Sequence, residues 1–208
     1  LIRKVAKTKK PIIISTGMCS VGEIEETVRV AKEAGCEQII LLKCTSTYPA
    51  SPENSNIKTI PHMKQLFECE VGLSDHTLGI GVAVASVALG ATVIEKHLTL
   101  SRSEGGVDSH FSLEPHEMES LVKETKAAWQ ALGTVTYGPT KAEKKSLQYR
   151  RSLYVINDMK AGDKFTKENL GVIRPGYGLP PKYYDLLLGK KANKEIKKGT
   201  PLTRDMIG

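Results

Sequence analysis

The sequence predicts an α/β chain: the C-terminal half of a TIM (β/α)8 barrel, followed by a small β-rich domain. Three observations predict it. Four short, continuously apolar runs recur over residues 1–133, each followed by a helical pattern, and unbroken apolarity marks strands of a parallel sheet covered on both faces. An eight-fold barrel needs eight such units in roughly 250 residues. Four units that open on Leu1, inside the helical run Leu1 to Ala6, therefore suit a second half and a chain that is part of a longer one. After Gly133 the pattern changes to short strands, Gly turns and an internal repeat. A four-stranded doubly wound sheet has the same periodicity and stays open at this point.

Pro11 to Ser15 is a buried-strand run closed by Thr16-Gly17. Ser20-Val21-Gly22-Glu23 is a capping box, and it opens a helix with Ile24, Val28 and Ala31 on its apolar face and Gly35 at its stop. Gln38 to Leu42 is the second strand, leading into Lys43-Cys44-Thr45-Ser46-Thr47-Tyr48-Pro49. A helix near Ile60 to Phe67 comes next, then the strands Glu70 to Leu73 and Ala91 to Ile94 with the apolar helix Ile80 to Leu89 between them. The last helix of this part runs from Pro115 to Leu132, with Met118, Leu121, Val122, Ala128 and Trp129 on or near one face.

Thr134 to Leu147 reads as a linker, and residues 148–208 as a second domain. Within that domain Asp158 to Leu170 recurs as Glu195 to Ile207, with Lys, Gly and Thr identical in register. Each copy reads as a strand, a Gly turn and a Thr-capped helical turn, so the two copies are expected to pack about a pseudo-two-fold. About 60 residues is marginal for an independent fold.

A composition of 40% hydrophobic and 25% charged residues is that of an ordinary globular chain. The longest apolar run, Ile80 to Leu89, is too short to span a bilayer, and no basic-then-apolar leader opens the chain. Cys19, Cys36, Cys44 and Cys69 lack CxxC pairing and metal-ligand spacing and read as reduced cytoplasmic thiols. The net charge of +7 comes from scattered lysines, and aromatics make up only 5%. That argues against nucleic acid and suits an anionic small substrate.

The most informative residues are two histidines at strand ends, in Ser74-Asp75-His76-Thr77 and Glu95-Lys96-His97. The intervening β-α-β unit makes their strands parallel neighbours with C-terminal ends on one edge, where α/β proteins place their chemistry. One divalent metal shared by His76 and His97 is one reading; two unrelated strand-end histidines is the other. Alternation puts Ser74 with His76 and Glu95 with His97 on one face. An inward Glu95 is expected to be structural or to support His97. Ser15-Thr16-Gly17, at the same edge, suits phosphate or carboxylate binding and equally suits a plain turn.

The combination of Ser15-Thr16-Gly17-Met18, Cys44-Thr45-Ser46-Thr47-Tyr48-Pro49, Ser74-Asp75-His76-Thr77, Ile94-Glu95-Lys96-His97 and Arg174-Pro175-Gly176-Tyr177-Gly178 resembles the sialic acid synthase family. Its members carry a TIM barrel followed by an antifreeze-like (SAF, β-clip) domain. Leu42 to Ser46, Gly106 to Ser109 and Arg174 to Leu179 look most like the pseudaminate branch, with N-acetylneuraminate and legionaminate synthases as neighbours. The resemblance implies condensation of phosphoenolpyruvate with an N-acetylated amino sugar, giving a nine-carbon keto acid and phosphate. It implies a divalent metal, Mn²⁺ first and Mg²⁺ or Co²⁺ as alternatives, on His76 and His97. Asp108 would orient or deprotonate the attacking water. Ser15 and Ser74 would lie near phosphoenolpyruvate, and Ser46 and Tyr48 near the sugar. Arg174 would reach into a partner's barrel in a domain-swapped homodimer. The family's first barrel half, with its acidic residue and lysines, has no counterpart in these residues. A non-catalytic module for dimerisation or sugar binding, and a different His-metal lyase or aldolase, are the other readings.

Overall fold

The computed structural model describes all residues, 1–208, in two compact units, Leu1–Thr134 and Val135–Gly208. In the first, α1 (Ile2–Ala6) precedes four βα units: β1 (Ile12–Ser15) with α2 (Val21–Glu33), β2 (Ile39–Cys44) with α3 (Thr59–Phe67), β3 (Glu70–Asp75) with α4 (Gly81–Ala88), and β4 (Val93–Lys96) with α5 (Pro115–Leu132). All strand pairs are parallel and the order is β1-β2-β3-β4. A doubly wound sheet reverses its strand order at a switch point; this order never reverses. Each strand is laid beside its predecessor, as in one wall of a barrel.

Local sequence explains the boundaries. The Ser20–Glu23 capping box forms in full, with the Glu23 carboxylate accepting from Ser20 N at 2.7 Å and the Ser20 hydroxyl from Glu23 N at 3.4 Å. Gly35 ends that turn at φ +88°, a conformation glycine adopts without steric cost. One face of the sheet packs Ile12, Ile39, Leu41, Val71 and Leu73 against Val28, Ala31, Ile60, Met63 and Leu121 of the helices. The other face carries Ser15, Leu42, Cys44, Gly72, Ser74 and Glu95 in two rungs: Ser15–Leu42–Gly72–Val93 and Cys44–Ser74–Glu95. Leu42 is wholly buried there because its side chain fills the space that Gly72 leaves empty.

Two expectations need correction. Val122 and Trp129 do not share the buried stripe of α5: they are 61% and 67% exposed. Only Leu121 is buried and Met118 packed beside it, so the apolar face is narrower than the sequence pattern. The segment after Gly133 also holds a regular element, the 3-10 helix Glu143–Tyr149. Thr140 N and Oγ1 both donate to Glu143 Oε2, at 2.8 and 2.6 Å, and the Glu143 amide returns a bond to Thr140 Oγ1. These bonds close a turn just ahead of the helix, whose N-cap is Ala142.

In the second unit β5 (Ser152–Val155) pairs antiparallel with β6 (Leu170–Ile173), and α6 (Tyr184–Leu187) follows. The repeat is built as a pseudo-two-fold. Met159 and Ile196 exchange both backbone hydrogen bonds at 2.9 Å. Gly162 N donates to Ala192 O and Gly199 N to Val155 O, both at 2.7 Å; Phe165 N reaches Lys190 O as Leu202 N reaches Leu153 O. The correspondence thus runs from Leu153–Leu170 to Lys190–Ile207, further toward the N-terminus than side-chain identity reveals. Phe165 and Leu202, equivalent in the two copies, are both fully buried. Thr203 departs from the expected cap: it is the N-cap of its 3-10 turn without a side-chain capping bond.

No helix is long and apolar enough to cross a membrane.

Candidate active site

At the C-terminal edge of β3 and β4 the imidazoles of His76 and His97 lie with ring centroids 5.2 Å apart, close to the separation of neighbouring strands. His76 is buried, and its Nδ1 is 2.9 Å from the Thr45 carbonyl oxygen. A carbonyl only accepts, so Nδ1 holds a proton and Nε2 is the nitrogen left to face a metal. Thr45 is itself held: Lys43 Nζ donates to Cys44 O at 2.7 Å and to Thr45 Oγ1 at 3.3 Å. Burial pushes the Lys43 ammonium below its ordinary pKa, since no carboxylate accompanies it there.

Asp108 comes to His97 from the loop between β4 and α5, with Oδ2 3.6 Å from Nδ1. A carboxylate behind an imidazole orients the ring and raises its basicity as a ligand. The same loop supplies Phe111, buried, its ring tilted against that of His97 with centroids 4.9 Å apart. Tyr48, half-exposed, stands 4.3 Å from His76 and 5.9 Å from Phe111. Two histidines therefore sit against aromatic rings with one carboxylate beside them.

One rung below, Ser74 Oγ donates to Glu95 Oε1 at 2.7 Å. The inward Glu95 thus finds its donor in Ser74, and the Ser74 proton is already committed. Ser46 lies on the loop after β2, its Oγ 3.8 Å from Cys44 Sγ. Ser15 ends β1, two strands away from Ser74, and is exposed. Arg174 belongs to the second unit, at the end of β6, and is exposed. The structure therefore brings His76, His97, Asp108, Tyr48 and, one rung lower, Ser74 together around one edge. His62 and His116 are exposed on helices, and exposed His110 meets Phe111 edge-on.

Three contributors were not read from the sequence. Phe111 carries no local signal that its ring would face His97. The Thr45 carbonyl is backbone. The third is a buried ion pair, Asp75 with Lys96, on the opposite face of the same strands; the alternation Ser74-Asp75-His76 places Asp75 there, and only its burial could not be read.

A second cluster could be mistaken for a metal centre. Ligand atoms of Glu114, His116 and Glu117 lie within 4.8 Å of one another. The guanidinium of Arg102 already sits among them, bonded to Glu117 and 3.8 Å from Glu114 Oε2, and Glu117 Oε2 accepts from Glu114 N in the capping box of α5. A cation there would meet a fixed positive charge. The cluster anchors the start of α5 and the loop that carries Asp108, since Arg102 also donates to Ser112 O at 2.9 Å.

Residues 1–137 match the NeuB family and residues 150–208 the SAF domain. The chain belongs to the NeuB family, as the second half of a TIM barrel followed by a SAF domain. It is 44% identical to the pseudaminic acid synthase of Campylobacter jejuni over 97% of its own length and 59% of the relative's. It is 41% identical to the N,N'-diacetyllegionaminic acid synthase of the same organism, over 94% and 60%. Among solved structures, the spore coat polysaccharide biosynthesis protein SpsE of Bacillus subtilis superposes with a TM-score of 0.62 at 30% identity, over 100% of this chain and 64% of that one. The N-acetylneuraminic acid synthetase of Leptospira borgpetersenii does so at 0.64 and 36%, over 72% and 52%. The chain spans about three-fifths of the length of the curated relatives it matches.

Proposed function

We propose that this chain is the C-terminal part of a pseudaminic acid synthase, joining phosphoenolpyruvate to a diacetamido trideoxy-altrose and releasing phosphate. The observation that carries the reading is the pair of imidazoles at one barrel edge, with the tautomer of His76 fixed by Thr45. The donor set fits a divalent ion: Nε2 of His76 and the imidazole of His97 at one strand spacing supply two nitrogens, with the Asp108 carboxylate against the His97 ring. Mn²⁺ is the ion we assign, with Mg²⁺ and Co²⁺ as alternatives. When bound, it supplies Lewis-acid polarisation of the open-chain aldehyde.

The chain's own residues do the rest. The enol carbon of phosphoenolpyruvate attacks the aldehyde carbon and forms the new C–C bond. Water adds to the oxocarbenium-like carbon that bears the phosphate, and phosphate leaves with its bridging oxygen. Asp108 orients that water and accepts its proton. Ser15 and Ser74 bind phosphoenolpyruvate, whose anionic oxygens only accept, so Ser74 turns its hydroxyl proton from Glu95 to the substrate. Ser46 and Tyr48 contact the sugar, and Phe111 closes the wall beside His97. Arg174 of one copy binds the acylamino group of the sugar in its partner, which makes the working form a homodimer.

Phosphate release from phosphoenolpyruvate with Mn²⁺ tests the proposal, using the chain completed to the length of its relatives with the 208-residue form beside it. Turnover with the altrose derivative and not with its legionaminate-type counterpart or N-acetylmannosamine is expected. Turnover with another sugar would move the chain to that branch of the family. No phosphate with any sugar would leave the binding-module reading.

A further inference from the structure

The sheet ladder stops just short of the two histidines. The β3–β4 ladder ends at the rung Asp75–Lys96, one residue short of both imidazoles. Beyond that rung the backbones part. The His76 carbonyl accepts from Ala50 N, and Thr77 pairs with Ala50. The His97 carbonyl accepts from Leu113 N, and Leu98 pairs with Leu113. What crosses the gap is the Lys96 ammonium. Its Nζ is 2.8 Å from Asp75 Oδ2 and donates as well to the Thr77 carbonyl, with both charged side chains no more than 2% exposed. The other Asp75 oxygen closes an Asx turn around His76, accepting from Thr77 N at 2.9 Å and Thr77 Oγ1 at 2.8 Å.

Each charge lies on the helix side of the sheet, away from water, and is satisfied by the other and by Thr77. Opening the rung would strand an unpaired charge in the interior, which is strongly disfavoured. We infer that Asp75 and Lys96 are positioning residues: a buried ion pair that clamps the ends of β3 and β4 and so sets the His76–His97 separation for one divalent ion. Neither touches the ion or the substrate. The inference rests on the reading of His76 and His97 as ligands given above.

The test is Mn²⁺ titration by calorimetry on the full chain, together with the Co²⁺ absorption spectrum, for wild type and three variants. His97→Ala should abolish the site; if it binds Mn²⁺ as wild type does, the two-histidine reading itself is wrong. The double variant Asp75→Asn with Lys96→Met removes both charges, keeps an acceptor for Thr77 and leaves no lone buried charge. It should weaken Mn²⁺ binding by about tenfold or more, as supporting residues of metal ligands typically do, and alter the Co²⁺ bands. Thr77→Val loosens only the Asx turn, is expected to fold, and should weaken binding by about threefold. If the double variant is folded by circular dichroism and binds Mn²⁺ with wild-type affinity and an unchanged Co²⁺ spectrum, while His97→Ala does not bind, the clamp is refuted.

Discussion

Gly72→Ala should damage the fold and the site together. An alanine Cβ at Gly72 would stand 2.2 Å from the Val93 carbonyl oxygen and 2.6 Å from Leu42 Cδ2. Leu42 can rotate a methyl away, but Val93 O is backbone of the neighbouring strand. Contacts under 3.0 Å are essentially unknown for real Cβ atoms, so β4 must retreat by nearly an ångström at the rung below Ser74–Glu95. Overpacking commonly costs about 1–3 kcal/mol, and a clash with backbone belongs at the upper end. For a unit of this size about 3 kcal/mol lowers the melting temperature by roughly 10 °C. Thermal unfolding followed by circular dichroism reads it, with Gly22→Ala as control. Gly22 sits in α2 with nothing within 4 Å of a built Cβ, and alanine there should stabilise by about 0.5–1 kcal/mol. A Gly72→Ala protein melting within 2–3 °C of wild type, a margin of about 1 kcal/mol on the same scale, would refute the claim that this glycine sets the β3–β4 spacing.

Two further outcomes are expected. Glu117 is held at a pKa of about 2, first by the hydrogen bond from Arg102 and then by the Glu114 amide; its contribution is present above the ordinary carboxylate value of 4.5 and lost as pH falls toward 2. Because both side chains are about a third exposed, screening holds the effect to about 1 kcal/mol, and Glu117→Gln should lower the urea midpoint at pH 7 while converging on wild type toward pH 2. In the second unit Phe165→Ala and Leu202→Ala remove equivalent, fully buried side chains of the two repeat copies. Each should cost about 2–5 kcal/mol, enough to unfold a unit of this size; a Phe165→Ala transition within a few degrees of wild type would contradict the shared core.

Much of this molecule was legible because its signals are local. The Ser20–Glu23 box and the run Pro115 to Leu132 fix helix ends through capping chemistry, and α2 and α5 begin where those residues stand. Parallel pairing followed from unbroken apolar runs, and the juxtaposition of His76 and His97 from the β-α-β connection. What stayed hidden depends on contacts distant in sequence. Nothing local marks a lysine and an aspartate at strand ends as buried, and only the fold places them opposite each other in the interior. Leu42 faces the inner side of the sheet yet is buried because Gly72, on the next strand, yields space. The repeat shows in side chains only from Asp158; from Leu153 to Asn157 the copies share no residue in register, and their equivalence lies in backbone hydrogen bonds alone.

Phosphoenolpyruvate carrying heavy oxygen at the bridge between its enol carbon and phosphorus tests the central claim most directly. With the chain completed to its relatives' length, Mn²⁺ and the altrose derivative, mass spectrometry would locate the label. Water attack at the enol-derived carbon predicts the label in the released phosphate. Label retained in the nine-carbon acid would mean cleavage at phosphorus, and would contradict the role given to Asp108 and its water.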